Sequence, residues 1–142
     1  MAINFSKSFL TIIDANVNRA KEGIRVIEDI SRFLILNKKT TAHLKNIRHQ
    51  INILIKQMEP NYKKLLKARD SETDIGKNLN IKNEFKRKNL EEILIANFKR
   101  VQESLRVLEE ISKLKNTEIS RGFKNLRFKM YVLEKQFFIK NG

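Results

Sequence analysis

An internal duplication constrains the fold of this chain more than any other feature. Residues 15–32 recur 81 positions later as residues 96–113, and nine of the 18 aligned pairs are identical. Chance alone would give about one identity in such a window, and four of the other nine pairs exchange Ile for Leu, Asp for Glu or Arg for Lys. A second block, residues 43–57, recurs at an offset of 79 as residues 122–136. Because the offset falls by two, one connector is two residues shorter in the second copy.

The duplicated unit keeps polar side chains as well as apolar ones. Polar residues of the first copy with identical counterparts in the second include Asn16 and Asn97, Arg19 and Arg100, Glu22 and Glu103, Arg25 and Arg106, and Glu28 and Glu109. A repeat kept only for packing would let its polar positions drift. We therefore expect these side chains to have a structural or a chemical role.

Length and composition limit the class of protein. The 142 residues predict one helical domain over 1–142, with repeat 1 at about 9–58, a linker at about 59–88 and repeat 2 at about 89–140. No run of about 18 apolar residues and no leader-type N-terminus occurs, which predicts a cytoplasmic protein without a membrane segment. With no cysteine and two histidines, any metal would be a hard cation held by carboxylates.

The formal charge of +14 has two interpretations. It favours anionic partners, such as phosphates of small molecules or of nucleic acid. It is also typical of solvated helix faces, since lysine supplies 20 of the 30 basic residues and is scattered along the chain. Aromatic residues interleaved with basic ones are sparse, so a nucleic-acid partner is not favoured.

The apolar residues recur with a helical period throughout. The first helix is predicted to begin between Phe9 and Asp14, with Asp14 as a candidate N-cap, and to end near Asn37. Thr40 or Thr41 is the candidate cap of the second helix. Pro60 would stop that helix.

The second repeat gives a matching pair of helices. Asn89, followed by Glu92, predicts a capping box for a third helix that runs to about Lys115. Asn116 or Thr117 then opens the fourth. The fold class is therefore all-α, a four-helix bundle made from two pseudo-symmetric helical hairpins joined by a long polar loop.

The segment between the hairpins lacks an apolar rhythm. Its first part can form a short helix, and residues 69–83 are predicted to be a loop, which in a compact domain is usually functional or disordered. Gly76 follows closely after Asp74. A turn there would let backbone N–H groups approach an anion, although a solvated linker fits the same residues.

Several repeated residues fall on or beside the apolar faces. Gly23 and Ser104 are small enough to let two helices cross closely. Asn16 and Asn97 need hydrogen-bond partners if buried, either on a facing helix or on a ligand.

The repeated charges also have two interpretations. Arg19 and Arg100 lie at the edge of the apolar arc and could pair with Glu22 and Glu103 along the helix. Together with Arg48 and Arg127 they predict four arginines near the groove between the hairpins, as a phosphate site or as an Arg–Glu network that fixes helix register. A third group is predicted to point outward, in surface pairs or dimer contacts: Arg25, Arg106, Glu28 and Glu109.

A family resemblance extends over nearly the whole chain. Residues 13–29, 44–49, 68–70, 74–76 and 96–110 resemble, in the same order, a helical domain often fused ahead of thiamine-phosphate synthase. That family is identified with a monofunctional hydroxymethylpyrimidine-phosphate kinase. The resemblance implies ATP-dependent phosphorylation of 4-amino-5-hydroxymethyl-2-methylpyrimidine phosphate to the diphosphate, with ATP and Mg²⁺ as cofactors.

The resemblance also implies roles for individual residues. Arg69, Asp70 and Asp74 would be catalytic, and the two aspartates would hold Mg²⁺. The phosphorylated pyrimidine and the nucleotide would be bound by Asn16, Arg19, Glu22, Arg48, Gly76, Asn97, Arg100 and Glu103, with Arg127 and His49 as accessories. Because the acceptor is an ionised phosphate oxygen, a strong general base would be unnecessary.

Two alternatives stay open. The chain could be a noncatalytic helical partner of a separately encoded thiamine-phosphate synthase, since 142 residues cannot also hold a (β/α)₈ barrel of about 250. In that case the exposed faces of Arg25 with Glu28 and of Arg106 with Glu109 would be used. A nucleic-acid-binding bundle rests on charge alone. The sequence leaves open whether there are one or two sites, and whether bundles form a homodimer.

Overall fold

The structure, a computed structural model, describes residues 5–79 and 86–139. This part of the chain contains five α-helices and no β-strand, which confirms the prediction of an all-α bundle. The helices are α1 Phe5–Asp29, α2 Lys38–Met58, α3 Tyr62–Ala68, α4 Leu90–Ser112 and α5 Thr117–Phe138. None of the described helices is long and apolar enough to cross a membrane.

Helices α4 and α5 begin at the predicted caps. The Asn89 Oδ1 atom accepts the Glu92 N–H at 2.9 Å, and Asn116 Oδ1 accepts the Ile119 N–H at 3.2 Å. The Glu92 carboxylate bonds to the Lys88 N–H, one residue before the expected partner in a capping box. These short-range signals fix the start of the second hairpin.

The predicted cap of α2 is wrong. Asn37, not Thr40 or Thr41, is the N-cap, and its Oδ1 atom accepts the Thr40 N–H at 3.0 Å. The Thr41 hydroxyl donates instead to the Asn37 carbonyl at 2.7 Å. Asn37 has an extended conformation, and α2 begins directly after it at Lys38. The connector before α2 is therefore shorter than the sequence suggested.

Helix α1 starts earlier and ends differently from the prediction. It begins at Phe5, so Asp14 lies in its interior and is not an N-cap. After Asp29 the helix continues as a π-helical segment, Ile30–Ile35, and closes at Leu36 in the left-handed region with φ of 60°. A left-handed conformation costs a residue other than glycine about 1–2 kcal/mol. The predicted end near Asn37 is confirmed.

The two hairpins pack against each other mainly through α1 and α4, and α2 also contacts α5. Helices α1 and α4 pack tightly at Gly23, where an added Cβ would lie 2.7 Å from Val101 Cγ2 and 3.3 Å from the Asn97 carbonyl oxygen. The Lys115 ammonium lies 5.7 Å from the Phe9 ring, near the start of α1, so the two helices are antiparallel. The packing role predicted for Gly23 is thus present.

Helices α2 and α5 form the second antiparallel pair. An added Cβ on Gly122 would lie 2.6 Å from Leu54, and Lys129 Nζ lies 3.4 Å from Gln50 Oε1. The end of α5 therefore lies at the same end of the bundle as the start of α2. The core between the four long helices includes Ile13, Ile24, Ile27, Leu44, Ile47, Ile51, Phe98, Leu105, Leu108, Phe123, Leu126 and Met130.

The first part of the linker packs against α1. Leu65 and Ala68 of α3 are buried, and the Ala68 carbonyl accepts a hydrogen bond from the Thr11 hydroxyl at 2.7 Å. Residues 69–79 form turns without a helix, as predicted for the loop. The remainder of that predicted loop, residues 80–83, lies outside the described residues, as does residue 140 at the predicted end of repeat 2.

The tight crossing at Gly23 gives a test of the packing. A Gly23→Leu substitution is expected to lower the free energy of unfolding by about 1–3 kcal/mol, because the side chain would displace Val101 and the α4 backbone. Urea denaturation measures this. Glu22→Leu, one residue away on the exposed face, serves as the control and should change stability by about 0.5 kcal/mol or less. Equal effects of the two substitutions would contradict the crossing.

Candidate functional site

Two of the repeated glutamates are buried and bind arginines from the neighbouring helix. In the first hairpin, Arg48 on α2 donates from Nε to Glu28 Oε1 at 3.1 Å and from Nη2 to Oε2 at 3.3 Å. The Glu28 side chain is 1% exposed, whereas that of Arg48 is 22% exposed. The pair therefore joins α1 to α2 through a bidentate, charge-assisted hydrogen bond.

The second hairpin repeats this arrangement with a more deeply buried arginine, since the Arg127 side chain is only 9% exposed. Arg127 on α5 donates to Glu109 Oε1 from Nε at 3.0 Å and from Nη2 at 2.8 Å, and from Nη1 to the Tyr131 hydroxyl at 3.1 Å. Burial lowers the pKa of Arg127, but the hydrogen bonds with Tyr131 and Glu109 outweigh it and raise the pKa above its ordinary value. The guanidinium therefore stays charged and holds α4 to α5.

The prediction that Glu28 and Glu109 point outward is wrong. Arg25 and Arg106 are exposed as expected, but Arg106 pairs with Glu110 at 3.2 Å, and Arg25 reaches Glu28 at 3.7 Å. The spacing along one helix placed the two glutamates outside its apolar face. It could not show that an arginine on the next helix would satisfy each buried carboxylate.

The four predicted arginines do not gather at one groove. Arg19 is nine residues before Glu28, and nine steps of 100° place the two on opposite sides of α1. The same spacing separates Arg100 from Glu109 on α4. Arg19 and Arg100 are exposed, whereas Arg48 and Arg127 reach the inner glutamates.

The predicted pairing along the helix is also wrong. Within the described residues neither Arg19 nor Arg100 forms an ion pair with Glu22 or Glu103. All four side chains are exposed on α1 and α4. The phosphate-binding roles assigned to them stay predictions.

The repeated asparagines bond to their own helices. Asn16 Nδ2 donates to the Ile12 carbonyl at 2.9 Å, and Asn97 Nδ2 donates to the Ile93 carbonyl at 2.8 Å. The remaining Oδ1 atom of Asn16 lies 3.5 Å from Arg19 Nη1. The sequence left open a hydrogen-bond partner on a facing helix. Both amides donate instead to a carbonyl of their own helix.

A third buried carboxylate breaks the pseudo-symmetry. Arg69 donates from Nε and Nη2 to the two carboxylate oxygens of Asp14, each at 2.8 Å, and this bond raises the pKa of Arg69. Asn18 Nδ2 also lies 3.4 Å from Asp14 Oδ1. The equivalent of Asp14 in the second repeat is Ile95. This ion pair fixes the start of the loop on α1.

The other predicted loop residues are exposed. Hydrogen bonds from Thr73 lower the pKa of the Asp70 carboxyl. Asp74 Oδ1 accepts the Gly76 N–H at 2.9 Å, so that donor already has a partner and the predicted anion approach would have to displace it. The described residues contain no group of three or more His, Cys, Asp or Glu side chains that could hold a metal ion. Asp70 and Asp74 thus do not form such a group, and Mg²⁺ binding stays a prediction.

A cavity does lie between the hairpins, but its lining does not contain the predicted site residues. It is an open groove of about 1070 Å³ between α2 and α5. Its lining includes Lys39, His43, Asn46, Gln50, Ile53, Leu54, Gly122, Asn125, Phe128, Lys129, Val132, Leu133 and Gln136. Carboxamides and ammonium groups there can hydrogen-bond a polar ligand. The repeat supplied a signal for it, since Asn46 and Asn125, and Gln50 and Lys129, are equivalent positions.

These features define a class of protein: an all-helical bundle from a duplicated hairpin, in which an internal Arg–Glu pair holds each hairpin together. The chain belongs to the ThiD2 family, which matches residues 11–136. No solved structure gives a significant match.

Similar proteins are longer and have a common name. A thiamine-phosphate synthase of Thermosynechococcus vestitus is 41% identical over 123 residues, which is 87% of this chain and 33% of that protein. The one of Nostoc punctiforme has the same identity and coverage, and that of Rhodopirellula baltica is 31% identical over 135 residues, 95% of this chain and 36% of the relative. This chain therefore spans about a third of the length of the curated relatives it matches.

The comparisons contradict the predicted kinase. The relatives that share most of this chain are named for thiamine-phosphate synthase and not for a kinase. Together with the ThiD2 match, they fit the alternative of a helical partner domain better. A connection with thiamine biosynthesis is confirmed at the level of these relatives, whereas ATP and Mg²⁺ stay untested predictions.

The deeper ion pair gives a stability test. Arg127→Ala is expected to lower the free energy of unfolding by about 3–5 kcal/mol, because it leaves the buried Glu109 carboxylate without a charged partner. Arg48→Ala should cost less, since Arg48 is more exposed. Arg106→Ala is the matched control in an exposed pair and should cost about 0.5 kcal/mol or less. Chemical denaturation that gives equal losses for all three would contradict the structural role.

The asymmetric ion pair gives a second test, by limited trypsin digestion. Asp14→Asn weakens the attachment of Arg69 to α1, so cleavage after Arg69 should accelerate by about tenfold as the open state becomes more populated. The control is Asp29→Asn, which alters an exposed carboxylate on the same helix. Cleavage at an unchanged rate in Asp14→Asn would show that the pair does not hold the loop.

Proposed function

We propose that this chain is a noncatalytic helical partner domain of a thiamine-phosphate synthase. The observation that carries the proposal is the coverage of the relatives. Nearly all of this chain matches proteins with that name, yet it accounts for about a third of each. In those relatives the helical segment is therefore one unit beside a larger remainder.

The use of the repeated charges supports the same proposal. Arg48 and Arg127, two of the predicted phosphate ligands, are engaged with buried glutamates, and Arg69 is engaged with Asp14. Each of these guanidinium groups joins two elements of the bundle. Because these side chains stabilise the fold, they suit a rigid domain that provides a binding surface for another protein.

The further parts of the proposal follow from its first part. The partner would be the synthase itself, bound directly by the bundle. A cytoplasmic location, as the sequence predicts, belongs to the same proposal. Binding of small phosphorylated pyrimidines or nucleotides and formation of a homodimer stay predictions, and nucleic-acid binding stays an alternative that the sequence does not favour.

A binding experiment tests this function. The chain is titrated into separately purified thiamine-phosphate synthase from the same organism, and complex formation is measured by calorimetry and sedimentation. We expect a one-to-one complex with a dissociation constant of about 1 μM or lower, together with a change in the kcat/KM of the synthase.

The control removes the effect of charge. A basic protein of similar size is titrated in the same way, and both titrations are repeated at high salt, because the formal charge of +14 can attract acidic proteins without specificity. No complex, or a complex that the basic control reproduces, together with unchanged synthase kinetics, would contradict the proposal.

A further inference from the structure

The two hairpins differ at their tips. Ser31 and Asn37 frame the tip of the first hairpin, and their equivalents Ser112 and Asn116 frame that of the second. We call residues 32–36 the first tip and residues 113–115 the second tip. The first tip is longer by the two residues by which the repeat offset changes, and it contains the end of the π-helical segment and the left-handed Leu36.

The first tip exposes four consecutive apolar residues. The exposed fractions are 61% for Phe33, 67% for Leu34, 43% for Ile35 and 76% for Leu36. The second tip has one such residue, Leu114, which is 65% exposed. A contiguous exposed apolar segment of this kind marks an interaction site.

The backbone of the first tip is kept in a costly conformation. Leu36 is the one described residue other than glycine with a positive φ, where glycine or asparagine would be less strained. π-Helical segments are rare and are frequently found at functional sites, and strained residues cluster there as well. The shorter connector of the second repeat also closes a hairpin, so the two extra residues of the first tip are not needed to join its helices.

The shape of the first tip selects a concave partner. Successive side chains of a helix point in different directions, so a flat surface could cover only part of residues 33–36. A pocket that surrounds the tip could cover all four.

Basic side chains lie immediately around the apolar ones. The Arg32 guanidinium lies 4.8 Å from the centre of the Phe33 ring. A hollow of about 420 Å³ beside Leu36 is lined by Arg32, Leu36, Asn37, Lys38, Thr41, Ala42 and Lys45. Arginine and aromatic residues dominate the binding energy of many interfaces. The charges complement an acidic rim on the partner.

The first tip lies at the end of the bundle where a domain that followed α5 would begin. Because α2 and α5 are antiparallel, α5 ends at Phe138 on the same end of the bundle as the first tip. A unit that followed α5 in a longer relative would start beside the first tip. The second tip lies at the opposite end, near Phe9.

We infer that the first tip is the surface by which this chain binds the thiamine-phosphate synthase, by inserting into an apolar pocket with an acidic rim. This inference rests on the proposed function, which supplies the identity of the partner. Burial of Phe33, Leu34 and Leu36 provides the affinity, and Arg32, Lys38 and Lys45 orient the complex.

Three variants of the full chain test the inference in the synthase titration. Leu34→Ser removes an exposed apolar side chain, and we expect it to weaken binding by at least about tenfold. Leu36→Asn should weaken binding to a similar extent while the melting temperature stays the same or rises, because asparagine tolerates the left-handed conformation better. A residue with only a structural role would not separate binding from stability in this way.

Leu114→Ser is the matched control. Leu114 is as exposed as Leu34 and occupies the tip of the equivalent hairpin, so this variant should bind within about twofold of the unsubstituted chain. Such a pattern would support the inference.

The other outcomes separate the two proposals. If the unsubstituted chain binds and Leu34→Ser and Leu36→Asn bind equally well, the first tip is not the docking surface, but the proposed function stands. If the unsubstituted chain does not bind, both fail. Co-sedimentation with vesicles of phosphatidylcholine and phosphatidylglycerol that is lost in Leu34→Ser would assign the tip to a lipid surface and overturn the inference.

Discussion

Two buried carboxylates determine how this bundle is built. Glu28 and Glu109 lie at equivalent positions on α1 and α4, and neither could remain charged in an apolar interior without a partner. Arg48 and Arg127 supply that partner from the second helix of each hairpin. A helix that slid or rotated would leave a buried charge unpaired, so the pairs fix the register of each hairpin. Desolvation offsets much of the attraction within such a pair, so its net contribution to stability is small, whereas removing one partner leaves a buried charge unpaired.

The duplication explains the features that the two hairpins share. The hairpins also differ in two respects. Asp14, whose counterpart is Ile95, takes up Arg69 and places the loop after α3 on α1. The first tip keeps two residues that the second tip lacks. The first departure anchors the loop on α1 through a buried ion pair. The second lengthens the exposed tip of the first hairpin.

Local signals in the sequence predicted most of the fold. The apolar stripes through Ile24 and Leu105 gave the helices, Asn89 and Asn116 gave the caps of the second hairpin, and Gly23 gave the close crossing. Each depends on residues within one or two turns of one another, or on a small residue on an apolar face. Such relationships can be read from spacing alone.

The site was harder to predict because its contacts connect residues that are distant in sequence. Asp14 and Arg69 are 55 positions apart. The helical period of α1 could not show that α3 would bring them together. Glu28 was assigned to the surface because its partner lies on another helix. The polar residues of the repeat were correctly expected to have a role. For Glu28 and Glu109 that role is structural. The alternative of an Arg–Glu network included Arg48 and Arg127 but not these two glutamates, which were expected at the surface.

A double-mutant cycle on Glu109 and Arg127 tests the central claim most directly. The free energy of unfolding is measured for the unsubstituted chain, Glu109→Gln, Arg127→Met and the double variant. If the pair fixes the second hairpin, the two substitutions should be coupled by at least about 1 kcal/mol, with the double variant losing less than the sum of the single ones. Additivity within about 0.5 kcal/mol would contradict the claim, because each side chain would then act independently of the other.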